Sequence, residues 1–220
     1  MDLYRMFGNI SSKGTDQVVK TAIVYYSSGG TNYQLAKWAA EGAQAAGAEV
    51  KVLKVPETAP EQAIASNVKW KAHMEATEDV EEVTAAHLEW ADAIVFSTPT
   101  RFGNMSSQMQ SFFDTLGGAW AEGKLANKVV SAMSSAQNVH GGQEATILSL
   151  YATMCHWGAI IAAPGYTDAT TFEAGGNPYG TTVTVDQDGR MMEDHSQIRA
   201  AVHHQAKRTT YVAEALKQLV

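Results

Sequence analysis

The chain of 220 residues is long enough for one large domain or two small ones, and with 45% hydrophobic and 18% charged residues it can bury a sizeable core. A formal net charge of −7 excludes a protein built to grip nucleic acid, which needs clustered Lys and Arg. The single cysteine, Cys155, excludes an intrachain disulfide, and no apolar run approaches the roughly 18–20 residues of a membrane-spanning helix.

A reducing, cytoplasmic compartment is therefore expected, with Cys155 as a buried structural thiol. Residues 1–20 lack a continuous apolar stretch, so they read as a polar leader and not as a secretory signal. Residues 21–220 are expected to form one domain.

Residues 21–26 (TAIVYY) read as a buried strand, and residues 33–47 as a helix with Gly47 near its C-cap. Residues 50–55 (VKVLKV) alternate, with Lys51 and Lys54 interrupting the apolar run, which suits an edge strand. A long stretch follows, residues 56–90, whose acidic block Glu78-Asp79-Val80-Glu81-Glu82 reads as a solvated helix face. Residues 93–97 (AIVFS) make the third strand. The helix over 105–116 carries Met105, Met109, Phe112, Phe113 and Leu116 on one face, a stripe best read as core. Strand 128–133, helix 143–157, strand 159–163 and helix 197–219 complete the alternation. Residues 165–195, with turn signals and one short alternating strand, read like 56–90 as an excursion from the sheet's edge. The alternation predicts a doubly wound α/β sheet with right-handed crossovers.

Three strand exits carry the unusual chemistry. In SSGGTN, Gly29 and Gly30 permit a tight turn while Ser27, Ser28 and Thr31 offer hydroxyls at the start of a helix, which together suit a phosphate. Neither GxxxxGK[ST] nor GxGxxG is present, and the loop holds no lysine, so neutral donors alone are expected to hold a monophosphate. The plainer alternative is a Ser/Gly-rich turn that caps a helix. The second exit, from Thr98 to Asn104 (TPTRFGN), combines a rigid proline, Arg101, an aromatic and a Gly-Asn turn, a surface for a planar ligand. The third, SSAQNVHGG, is polar and Gly-rich, and His140 in it suits hydrogen bonding better than catalysis. The seven histidines form neither HxH nor HExxH, so no metal site is expected, and the absence of GxSxG counts against a hydrolase elbow. Phosphate at one loop and a planar ring between the other two describe an FMN site. FMN in a five-stranded doubly wound sheet is the flavodoxin-like arrangement, strand order 2-1-3-4-5.

The segments YYSSGGTN, TPTRFGNMSSQM, GGAW, HGGQE, CHWG and GGNPYGTT resemble the WrbA family of FMN-dependent NAD(P)H:quinone oxidoreductases. The resemblance runs from about Thr21 to the C-terminus, and TPTRFGNM with HGGQE and PYG is its specific part. It implies two-electron reduction of a quinone by NADH or NADPH on FMN, in a homotetramer. It also implies that Ser27, Gly29, Gly30, Thr31 and Asn32 cradle the FMN phosphate, and that Thr100, Arg101 and Phe102, in the turn with Gly103, meet the ring and ribityl chain. Ser134, Ser135, Ala136, Gln137, His140, Gly141 and Gly142 would contact the ring's other edge. His156 would be the catalytic group reaching a flavin across a subunit interface, with Trp120 beside the substrate. Gly29 stands where the family commonly carries a tyrosine credited with a nicotinamide contact. Two other readings remain at this point: a flavodoxin-like FMN electron carrier without reductase activity, and a non-enzymatic protein associated with the tryptophan repressor. No helix-turn-helix pattern supports the second.

Overall fold

The computed structural model describes residues 18–217, so most of the expected leader lies outside the described residues. Five parallel strands, β1 (Lys20–Tyr25), β2 (Glu49–Lys54), β3 (Ala93–Pro99), β4 (Val129–Ala136) and β5 (Ile160–Ile161), lie in the order β2-β1-β3-β4-β5. This is the expected order, with β2 at the edge.

Helix α1 (Thr31–Ala45) follows β1. Helices α2 (Glu61–Ala65), α3 (Val68–Ala76) and α4 (Ala85–Trp90) fill the stretch after β2. Helices α5 (Ser107–Asp114) and α6 (Gly117–Ala121) follow β3, and α7 (Gln143–Trp157) follows β4. A short α8 (Ala169–Glu173) and strand β6 (Thr182–Thr184) precede the closing α9 (His195–Lys217).

Side chains along β1 alternate between the two faces of the sheet. Ile23 and Tyr25 pack with Leu35, Trp38, Val202 and Ala206 of α1 and α9. Ala22, Val24 and Tyr26 pack with Met109, Phe113, Leu150 and Met154 of α5 and α7. All five residues of the expected Met and aromatic stripe are buried. On the other face α1 presses against α9 through Gly42, where a Cβ would lie 2.8 Å from His203 Cα.

Two expectations are corrected. Residues 165–195 do not simply leave the sheet: β6 returns to pair in parallel with the last three residues of β4, Ser134 with Thr182 through Ala136 with Thr184. The fifth position is thus shared, β5 flanking Val129 and Val130 and β6 flanking the strand's far end. Between them Ala132 faces no strand on that side of β4. Its N–H donates to Tyr151 Oη at 3.2 Å and its carbonyl accepts from Gln205 Nε2 at 2.9 Å, so the buried peptide stays paired. Gly180 allows this approach, because a Cβ there would lie 1.9 Å from the Ala132 oxygen.

Cys155 is exposed on α7, not buried as expected. Its neighbours Met154 and Trp157 take the core-facing positions of that turn.

The two irregular stretches form arms over the carboxyl end of the sheet. The first, residues 56–90, is anchored by Glu57. Its carboxylate accepts from Tyr26 Oη at 3.0 Å, Trp70 Nε1 at 3.0 Å, Gln108 Nε2 at 2.6 Å and the N–H groups of Thr58 and Ala59. Among the described residues no helix is long and apolar enough to cross a membrane, and no group of three or more His, Cys, Asp or Glu could hold a metal ion.

Candidate active site

A cavity of about 490 Å³ opens at the carboxyl ends of β1, β3 and β4, within the ~300–1,000 Å³ range of small-molecule sites. The three strand-exit loops and the two arms build it.

The turn after β1 bends at Gly30, whose φ of 93° puts it in the left-handed region. Ser27 Oγ accepts the Gly30 N–H at 2.9 Å, closing the loop on itself. No side chain caps the first turn of α1, and that turn carries no acidic residue. Its N–H groups therefore remain available to an anion beside the hydroxyl of Ser28. Gly29 also lines the cavity, and a Cβ there would meet nothing within 4 Å.

Asn32 has a different part. Its buried side chain donates to Ser135 Oγ at 2.8 Å and accepts from Ser97 Oγ at 3.1 Å. It stitches α1 to the ends of β3 and β4 and so sets the first loop against the other two.

The second loop closes a tight turn, Arg101 N–H to Asn104 O at 2.7 Å and Asn104 N–H to Arg101 O at 3.0 Å. Phe102 (φ 53°) and Gly103 (φ 82°) both have the positive φ of a type I′ turn. The Phe102 ring is fully exposed and lines the cavity. Thr100 ties this loop to the third: its N–H donates to Ser135 O at 2.8 Å, and its hydroxyl accepts from Thr146 Oγ1 at 2.8 Å. Gly142 abuts Gly103 so closely that a Cβ would lie 2.9 Å from Gly103 Cα.

Of the residues singled out from sequence, the cavity brings together Ser27, Gly29, Thr31, Asn32, Thr100, Arg101, Phe102, Ser135, Ala136, Gln137 and Gly141. Gly30, Gly103 and Gly142 shape the turns behind the lining. Ser134 faces the opposite way from Ser135, as neighbours on a strand must. His140 is exposed and outside the lining. His156 and Trp120 lie together elsewhere on the surface, Trp120 Nε1 donating to the His156 carbonyl at 3.0 Å.

The arms add residues the sequence did not flag: Asn67 and Lys69 from the first, Gln187 and Gly189 from the second. They lie in irregular segments whose approach is made only in three dimensions, and no motif marks them. Lys69 adds a cation to a lining whose first loop offers only neutral donors. Lys69 and Arg101 line the cavity and no Asp or Glu does. In a chain of net charge −7 this local balance favours an anionic ligand.

The sequence pattern of the NADPH-dependent FMN reductases matches residues 21–170, which span all three loops. The chain belongs to that family. Among similar proteins, the NAD(P)H dehydrogenase (quinone) of Deinococcus radiodurans is 57% identical over 191 residues, covering 87% of this chain and 96% of the relative. The NAD(P)H dehydrogenase (quinone) of Aromatoleum aromaticum is 38% identical over 203 residues, covering 90% of this chain and 97% of the relative. A crystal structure of a flavodoxin, WrbA-like protein from Agrobacterium tumefaciens superposes with a TM-score of 0.59 at 20% identity, covering 90% of this chain and 98% of that one, and shows the shared fold.

The residues present fit FMN. The uncapped turn of α1 with the hydroxyl of Ser28 suits the phosphate, and the exposed Phe102 with the Thr100–Gly103 turn offers a flat surface to a ring.

Proposed function

We propose that the protein is an FMN-dependent NAD(P)H:quinone oxidoreductase. The observation that carries the reading is the uncapped, acid-free N-terminus of α1 opening into a cavity that two further strand-exit loops line. The 57% identity to a NAD(P)H dehydrogenase (quinone) along nearly its whole length supplies the reaction class. Bound FMN would supply the redox chemistry, taking up hydride from NAD(P)H and delivering two electrons to a quinone.

The chain's own part is to bind and orient. The first turn of α1, with the Thr31 N–H in it, and Ser28 hold the phosphate, and Asn32 fixes that turn against Ser97 and Ser135. Phe102, presented on its turn, covers a ring face. Ala136, Gln137 and Gly141 line the opposite edge.

The working form is a homotetramer in the cytoplasm. Exposed aromatic residues support assembly: Trp120 stands out beside His156, and Tyr166 stacks on Phe172 at 4.8 Å with both rings largely exposed. In the assembly His156 and Trp120 are placed to complete a neighbouring subunit's cavity. The single cysteine suits the reducing compartment.

Anaerobic mixing tests the reading. The purified protein is expected to be yellow, to bleach on adding NADH or NADPH, and to regain colour with benzoquinone. Flavin that stays oxidised with both nucleotides would assign an electron carrier, and a colourless protein unable to take up FMN would sink both.

A further inference from the structure

Lys69 and Asp188 come from different arms and meet at the phosphate end of the cavity. Lys69 Nζ lies 3.0 Å from Asp188 Oδ1, and both side chains are more than half exposed. Lys69 lines the same cavity as Ser27, Ser28 and Thr31. The second arm is held there by Thr31 Oγ1, which donates to the Gly189 carbonyl at 3.3 Å. The first arm is held by Trp70, the residue after Lys69, whose indole donates to Glu57.

Two features argue that the lysine serves more than the ion pair. An exposed Lys–Asp pair contributes little to stability. Lys69 also sits in the first turn of α3, just after the Asn67 cap and with no acid in that turn, where the helix dipole disfavours a cation. A charge in an unfavourable local position beside an uncapped helix start is well placed for a dianion that enters between them.

We propose that Lys69, within reach of Asp188, is a ligand of the cofactor's phosphate, so that the cavity selects phosphorylated over unphosphorylated flavin. The proposal rests on the reading of the cavity as an FMN site. A dianion outcompetes a single carboxylate for one ammonium, and Lys69 changes partner by rotating side-chain bonds alone. Asp188 then becomes a nearby negative charge that opposes the phosphate. The two members of the pair thus act in opposite directions on FMN, whereas a strap joining the arms would need both alike.

Flavin-fluorescence titration of the protein stripped of flavin distinguishes these. Lys69→Gln is expected to weaken FMN about tenfold while leaving riboflavin within about twofold. Asp188→Asn is expected to leave FMN binding unchanged or tighter. FMN affinity of the wild type should fall more steeply with added salt than that of Lys69→Gln. Both stripped variants should melt within about 3 °C of the wild type. Equal weakening of FMN by both substitutions would make the pair a strap and overturn the proposal. So would an unchanged ratio of FMN to riboflavin affinity in Lys69→Gln. A wild type that binds neither flavin would instead remove the FMN reading, and this proposal with it.

Discussion

Replacing Phe102 by Asn separates what the turn costs the fold from what it gives the site. Phe102 is held at φ 53° by the paired hydrogen bonds between Arg101 and Asn104, and a left-handed conformation costs an ordinary L-residue roughly 1–2 kcal/mol. Asn tolerates it far better, and Asn followed by glycine is a preferred pair for a type I′ turn. The ring itself is fully exposed, so its removal forfeits no burial. The net expectation is about 1 kcal/mol of added stability, or roughly 2–4 °C in Tm for a chain of this size. Flavin binding should move the other way. An aromatic pair contributes about 0.5–1.5 kcal/mol beyond area burial, so FMN affinity should fall about 3–10-fold. Differential scanning fluorimetry on stripped protein and fluorescence titration with FMN measure the two effects. A lower Tm without flavin would show that the ring is covered by protein, and unchanged FMN affinity would remove Phe102 from the site.

At Gly29 a Cβ has nothing within 4 Å, so Gly29→Tyr begins without a clash at the backbone. If the added ring reaches the nicotinamide, the KM for NAD(P)H should drop about 2–10-fold with kcat little changed; an unaltered KM would place the nucleotide elsewhere. Gly180→Ala drives a Cβ to 1.9 Å from the Ala132 oxygen. With backbone on both sides, it should cost about 3 kcal/mol or more and lower Tm by about 6–12 °C, and a near-native melt would refute the close approach of the second arm to β4. Burial, with Lys54 nearby, holds the His73 imidazole below the usual histidine value, so the folded protein resists protonation that the unfolded chain accepts. That contribution is complete above about pH 6.5 and is lost as pH falls through the folded pKa. Tm should therefore decline between pH 7 and pH 5.5, less steeply in His73→Gln, and identical slopes would exclude His73 as a source.

What could be read along the chain was whatever sheet packing imposes locally. The apolar runs gave β1, β3 and β4 because both faces of those strands are covered, and helix 143–157 came out with its observed ends because left-handed Gly142 and Gly158 bracket it. The strand-exit loops were legible for the same reason: Gly and hydroxyl clusters directly after buried strands have few other uses. The second arm's return was not. Only three residues of β6 pair, and what places them is a close contact at Gly180, a hydrogen bond donated by Tyr151 and one accepted by Gln205 Oε1 from the Thr181 N–H, all distant in sequence. Cys155 failed on a finer point, since the statistical preference of free thiols for burial yields to the rotational position of one residue on α7.

Lys69 shows why net charge and site charge had to be argued apart. The value of −7 weighs against a nucleic-acid surface, which needs basic residues spread over a face. It says little about one phosphate, because at physiological salt exposed charges are largely screened beyond about 8 Å. Within that reach the arms decide the outcome, bringing Lys69 to a cavity that already holds Arg101 and keeping every carboxylate out of its lining. Asp188, beside the lining Gly189, is paired to Lys69. An acidic protein can therefore bind a dianion well without a lysine in its phosphate loop, provided the charge arrives from a segment that no phosphate-binding motif describes.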